Sequence, residues 1–339
     1  KSTHGNARSR YPEIRARFDS ELAWTHPDMH HTPQFQLEAL SKASGLGHGS
    51  GYCEHDGTAA VVTRNLINGE CMPQKVLDWR NRRSWLRNIR SYAHRVLTPE
   101  LVAALERDRP ECWSDVMDWL PNHDDVVPYF CDQMSSFYTH FKAFHGCRPE
   151  SLSSYYEQGI RGQNAESIVQ KFRALFADLP KTDIEQAIEN MKRRESSEKG
   201  KIWLSGDDGE MLDQFGHYLI NGSEYLLALA ANLERGNYSE DHRLRLRTIG
   251  IPTIIEVDIP VDLIPPAQKL AVAKMILSKW GQLRTRRPLG MSLSTCYVVH
   301  SDIPAECIKG HYHPPSILDP HQHKNYINKE IRCDHCPKN

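Results

Sequence analysis

Phe144-His145-Gly146-Cys147-Arg148-Pro149, followed by Ser151-Leu152-Ser153-Ser154-Tyr155-Tyr156-Glu157-Gln158-Gly159-Ile160, is the stretch on which the fold turns. It reads as a short apolar strand ending in His-Gly-x-Arg-Pro, then one brief helix, then a Gly-Ile exit. A histidine at a strand end beside a glycine can reach a ligand while the backbone comes close to it. A lone histidine on an apolar strand also serves as a satisfied structural group. The His-Gly-x-Arg context is what singles out His145.

Working outward, three more strands follow at wide spacing. Ile202-Trp203-Leu204-Ser205 reads as a buried strand, Thr253 to Ile259 as the clearest strand, and Cys296 to His300 as another. Helices separate them. Asn164 caps one through Phe176, and Thr182-Asp183-Ile184-Glu185 is a capping box for a helix to about Arg194. The polar run Glu195 to Lys201 reads as a loop, Gly209 to Leu233 as one helical stretch, and Ala267 to Trp280 as a helix.

Upstream, Lys75 to Phe144 has a helical pattern. Thr98-Pro99 supplies an N-cap and a first-position proline, and Ser114 caps a short helix through Leu120. Gly45 to Gly51 is glycine-rich, but it lacks the Gly-Lys-Ser/Thr ending of a phosphate-binding loop and reads as flexible. The predicted class is α+β, a sheet core with flanking helices after a mainly helical N-terminal region. The expected divisions are 1–130, helical; 131–315, sheet-containing; and 316–339, a His- and Cys-containing tail.

With 339 residues and a formal charge of -1, the chain is long enough to bury a core. No run of about 18 apolar residues occurs, so no membrane span is expected. The first residues lack the apolar core of a secretion signal, and the nine cysteines are odd in number and mostly isolated. A cytoplasmic setting is expected from these features.

The motif order resembles the ADP-ribosyltransferase superfamily, in its histidine-type branch of diphtheria-toxin-like and poly-ADP-ribose-polymerase-like enzymes. His145-Gly146-Cys147-Arg148 stands where that family begins its NAD pocket. Gly200 to Ser205 resembles its second strand, with Trp203 as the aromatic beside the nicotinamide. Phe215, Tyr218 and Tyr225 follow as its next aromatics do, and Tyr297-Val298-Val299 with Asp302 to Ile308 is similar to its ending. The resemblance covers roughly residues 135 to 315 and implies a split β-sheet core.

It also implies a glycosyltransferase that uses NAD and passes ADP-ribose to a macromolecular acceptor. Its setting would be that of a bacterial toxin or antiviral defence effector, with an inhibitor or antitoxin protein as a further partner. His145, Gly146, Arg148, Trp203, Ser205 and Tyr218 would bind NAD. The family's glutamate on its last strand is missing, because Ser292 to Val299 holds no acid. A carboxylate is needed to stabilise an oxocarbenium-like ribose. Glu224, in an apolar helix, is the first choice and Glu256 the second, so the catalytic set is His145, Tyr218, Glu224 and Glu256.

The residues keep structural alternatives. Arg148 can be an ion-pair partner, Trp203 and Tyr218 core aromatics, Glu224 a capping or pairing group, and Glu256 a solvent-face residue. An RNA 2'-phosphotransferase-like enzyme and a non-catalytic NAD- or nucleic-acid-binding module are the rival functions.

Two features lie outside that resemblance. Between Trp79 and Arg95 stand six arginines without an acid, interleaved with Trp79, Trp85 and Tyr92. That mix suits phosphate contact with base stacking, with Arg83, Arg87 and Arg90 touching RNA or DNA. Its structural alternative is an amphipathic helix with solvated arginines. At the C-terminus, Cys333-Asp334-His335-Cys336 has knuckle spacing, with His311, His313, His321 and His323 upstream. A strong zinc pattern needs two such pairs, so no metal is expected and the segment reads as a mobile polar tail.

Overall fold

The computed structural model describes residues 74–108, 110, 114, 116–233, 241–287, 296–320, 322–329, 331 and 333–336. All belong to the compact unit Val61–Asn339. The glycine-rich stretch 45–51 and positions 292–295 lie outside the described residues.

The chain runs β1 (Val76–Leu77), α1 (Arg82–Tyr92), α2 (Pro99–Arg107), α3 (His123–Phe137), β2 (His140–Cys147), α4 (Ser153–Gln158), α5 (Ala165–Leu175) and α6 (Lys181–Glu198). It continues with β3 (Ile202–Ser205), α7 (Asp208–Asp213), α8 (Gly216–Asn221), α9 (Glu224–Leu233), β4 (Thr253–Pro260), α10 (Pro266–Thr285) and β5 (Cys296–Val299). β6 (Ile308–Tyr312), β7 (Ser316–Asp319) and β8 (Lys324–Ile327) complete it. The main sheet has the order β5-β3-β2-β4-β6 and is antiparallel along that path, and β1 pairs parallel with the start of β2. The α+β class holds.

Register fixes the faces. Phe144 lies opposite Glu256, and His145 lies opposite Ile255. Successive side chains on a strand point to opposite faces, so these two pairs face opposite ways. Phe141, Ala143, Cys147, Ile255, Val257 and Ile259 enter the main core with Trp85, Ile89, Phe130 and Ile276 from α1, α3 and α10. On the other face Phe144 and Ile254 are covered by Met211, Leu219 and Ile220 from α7 and α8, and by Ile317 of β7. A third cluster joins α5, α6 and α9 with Leu246 of a 3₁₀ segment, His242–Thr248.

Caps account for several helix limits. Asn164 accepts from Ser167 N, and Thr98 accepts from Leu101 N ahead of Pro99. Other expectations need correction. Thr182 does not cap. α6 starts at Lys181, the Pro180 carbonyl accepts from Asp183 and Ile184, and the helix runs through the supposed loop to Glu198. The 209–233 stretch is three helices, and Gly222 at φ +98°, where an L side chain is disfavoured, ends α8 before α9. The described residues between Ser114 and Leu120 form turns and bends instead of a helix.

The expected divisions at 130 and 315 do not mark packing boundaries. α3 spans 123–137, and its buried residues share one core with the sheet. β7 and β8 form a hairpin seated on α8, where a Cβ on Gly216 would lie 2.2 Å from the Leu318 carbonyl oxygen. β7 and β8 are therefore part of the fold instead of a mobile tail. Among the described residues no helix is long and apolar enough to cross a membrane.

Candidate active site

His145 is near the end of β2, the strand that joins both halves of the sheet. Its Nδ1 lies 3.0 Å from the Trp203 carbonyl oxygen on β3. A carbonyl only accepts, so Nδ1 carries the proton and donates. Burial pushes the imidazole pKa down, and the Trp203 hydrogen bond opposes that only in part. The group is therefore a neutral imidazole with an Nε2 lone pair that can accept a hydroxyl proton. Tyr155 of α4 borders it, with ring centroids 6.3 Å apart. Burial also pushes the neighbouring Cys147 thiol up to about 12, so that sulfur is inert at neutral pH.

α4 is set by its exit. Gly159 has φ +81°, and a Cβ there would lie 1.9 Å from the Ile303 carbonyl oxygen. The next residue, Ile160, exchanges two 2.9 Å backbone hydrogen bonds with Ile303. The Gly-Ile pair is thus a docking step that fixes the helix carrying Tyr155.

The remaining predicted residues are only partly gathered. A Cβ on Gly146 would meet Met211 Sδ at 2.6 Å and Leu219 at 3.2 Å, so side chains from α7 and α8 cover that backbone. Arg148 donates from Nε to the Ile249 carbonyl at 2.6 Å and from Nη2 to the Arg247 carbonyl, and lies over the Tyr326 ring. Its guanidinium braces the 3₁₀ segment. The Ser205 hydroxyl donates to the Asp207 carbonyl and accepts from Asp207 N, which shapes the start of α7. Trp203 is half-buried on β3 with Lys201 Nζ 5.7 Å from its ring. Tyr218 packs on His217 with centroids 3.9 Å apart.

The two proposed carboxylates differ in placement. Glu256 pairs with Lys142 at 3.2 Å on the face opposite His145. Glu224 is the first residue of α9, half-buried, on the helix that packs in the third cluster. A third acid was missed. Glu210 of α7 is close enough for its charge to add to burial in pushing Cys296, the first residue of β5, up to about 12. The acid-free 292–299 window hid it, since it arrives from another element.

The basic helix separates cleanly. Trp85, Ile89 and Tyr92 are buried, and Trp79 stacks on Trp85 at 5.4 Å. Those aromatics belong to the core, so the expected base stacking by Trp85 and Tyr92 is corrected. Arg83, Arg87 and Arg90 are exposed, and no ion pair holds them among the described residues.

The structure also departs from the expectation that no metal ligands are assembled. His311, His313, Cys333 and Cys336 present ligand atoms all within 4.8 Å of one another. His311 Nε2 is 3.5 Å from Cys333 Sγ and 3.4 Å from Cys336 Sγ. The missing signal was spatial: β6 supplies His311, His313 follows just after its end, and the distant Cys-x-x-Cys folds back onto them.

No family model, curated protein or solved structure matches this chain.

Proposed function

We propose that this protein is an NAD-dependent ADP-ribosyltransferase acting on a macromolecular acceptor. The supporting observation is the fixed, neutral imidazole of His145 at the junction of β2 and β3, with Trp203 supplying its anchor. An Nε2 acceptor there suits a ribose hydroxyl; the Trp203 indole, which the family resemblance assigns to the nicotinamide wall, lies on the other sheet face with Ser205 and Phe144, beside the Gly146 backbone. The split-sheet likeness to that family is part of the same proposal.

NAD would reach the Gly146 backbone only if Met211 swung aside, a motion open to an unbranched thioether side chain. Glu224 and Glu256 remain candidates for the carboxylate that steadies the oxocarbenium-like ribose, and Glu210, whose charge reaches Cys296 on the same sheet face as Glu256, joins them. A nucleic-acid acceptor fits the exposed Arg83, Arg87 and Arg90. A toxin or defence role, with an inhibitor protein as partner, rests on the family likeness alone. The phosphotransferase alternative would use basic residues that have other partners here: Arg148 on backbone carbonyls, Arg284 on Glu106 and Arg287 on the Pro110 carbonyl.

The test is NAD turnover with labelled cofactor and separate protein, RNA and DNA pools. Wild type should release nicotinamide and label one pool, and His145→Ala should lower turnover by about 10²-fold or more while remaining folded. Gln variants of Glu210, Glu224 and Glu256 then locate the carboxylate, with Glu256→Gln expected to be mild. Full turnover in His145→Ala would end the assignment.

A further inference from the structure

We infer that the C-terminal segment carries a tetrahedral Zn²⁺ site made by His311 Nε2, His313 Nε2, Cys333 Sγ and Cys336 Sγ. The proposal does not rest on the NAD assignment.

Distances support it first. With Zn–S near 2.3 Å and Zn–N near 2.05 Å, a tetrahedral ion separates nitrogen and sulfur ligands by about 3.6 Å. The His311 Nε2 distances to the two sulfurs are 3.5 and 3.4 Å, near that edge length. The two cysteines are free, so no disulfide competes for their sulfurs.

The outer contacts select the ligand atoms. Tyr156 OH lies 2.6 Å from His311 Nδ1, which leaves Nε2 for the ion. His313 Nδ1 lies 3.1 Å from Thr253 Oγ1 and 3.3 Å from the Pro252 carbonyl, which only accepts. Its proton is thereby held on Nδ1. His313 Nε2 is buried and has no hydrogen-bond partner among the described residues. A buried nitrogen lone pair without a donor is costly, and a cation removes that cost. Two thiolates and two imidazoles favour zinc over hard cations.

His335 lies within the same knuckle but is not a ligand in this arrangement. Its Nε2 is 3.2 Å from Ser153 Oγ, and its ring stacks on Tyr156 at 4.9 Å. Four protein ligands leave no open position, so the ion is structural. It ties residues 333–336 to β6 and, through Tyr156, to α4.

The test uses the full chain, expressed with added zinc and purified under reducing conditions. Plasma mass spectrometry should find about one zinc per chain, falling below about a tenth in His311→Ala, His313→Ala, Cys333→Ser and Cys336→Ser. His335→Ala should keep its zinc. Wild type exchanged with Co²⁺ should show intense tetrahedral d–d bands and a thiolate charge-transfer band, a readout that needs no variant to fold. Metal-free wild type, a weak octahedral cobalt spectrum, a Cys333–Cys336 disulfide in place of metal, or zinc loss in His335→Ala alone would each overturn the site.

Discussion

His145 couples the chemistry of one ring to the acid stability of the protein. Its folded pKa lies below the ordinary histidine value of 6.5. The unfolded chain therefore binds a proton at a pH where the folded chain does not. The stabilising contribution is complete above about 6.5 and is lost as pH falls from there toward the folded value. His145→Gln removes that loss. Urea unfolding at pH 7 and pH 5 should show a smaller fall for His145→Gln than for wild type. His140 is shifted the same way and contributes equally to both proteins. Equal falls would show that His145 does not titrate as its burial requires. Gly159 offers a second test at this scale. A Cβ there meets backbone oxygen instead of a yielding side chain, so Gly159→Ala should cost more than about 1 kcal/mol by thermal or urea unfolding.

α1 separates packing from charge on a single helix. Trp85→Ala opens a core position occupied by an indole whose Nε1 donates to the Trp79 carbonyl, and should cost about 3–5 kcal/mol. Replacing Arg83, Arg87 and Arg90 with Gln should change stability by no more than about 0.5 kcal/mol per site. If the acceptor is polyanionic, the triple variant should bind it less tightly and with a shallower salt dependence. An unchanged salt slope would assign those arginines to solvent alone. This helix also shows what its sequence could reveal. Apolar spacing and an N-terminal cap are local, so the helices at Pro99 and Ala165 and the strand at Thr253 were readable from their own residues. Cross-chain placement was not. Glu256 and His145 sit on opposite faces because of a register between strands, and Met211 covers Gly146 because α7 folds back. The knuckle at Cys333 becomes a four-ligand set only when β6 brings His311 and His313 to it.

At the scale of the unit Val61–Asn339, the described helices and the sheet share one core. Leu77, Trp85, Ile89, Tyr92 and Leu105 lie in the same cluster as Phe141, Val257 and Ile276. A fragment limited to 131–315 would expose that face of the sheet. It should lack the single cooperative transition expected of the full chain in calorimetry. A fragment that melts as sharply as the full chain would restore the division at 130. β2 adds a consequence in time. His145 pairs with Ile255, 255 − 145 = 110 residues downstream. At a synthesis rate of about 5–20 residues per second, β2 waits roughly 5–20 s on the ribosome before its main neighbour exists. Its apolar edge is a temptation for other nascent chains during that interval, and late, long-range pairing slows the final closure. The strand that centres the finished sheet is thus left with an open edge while the protein is being made.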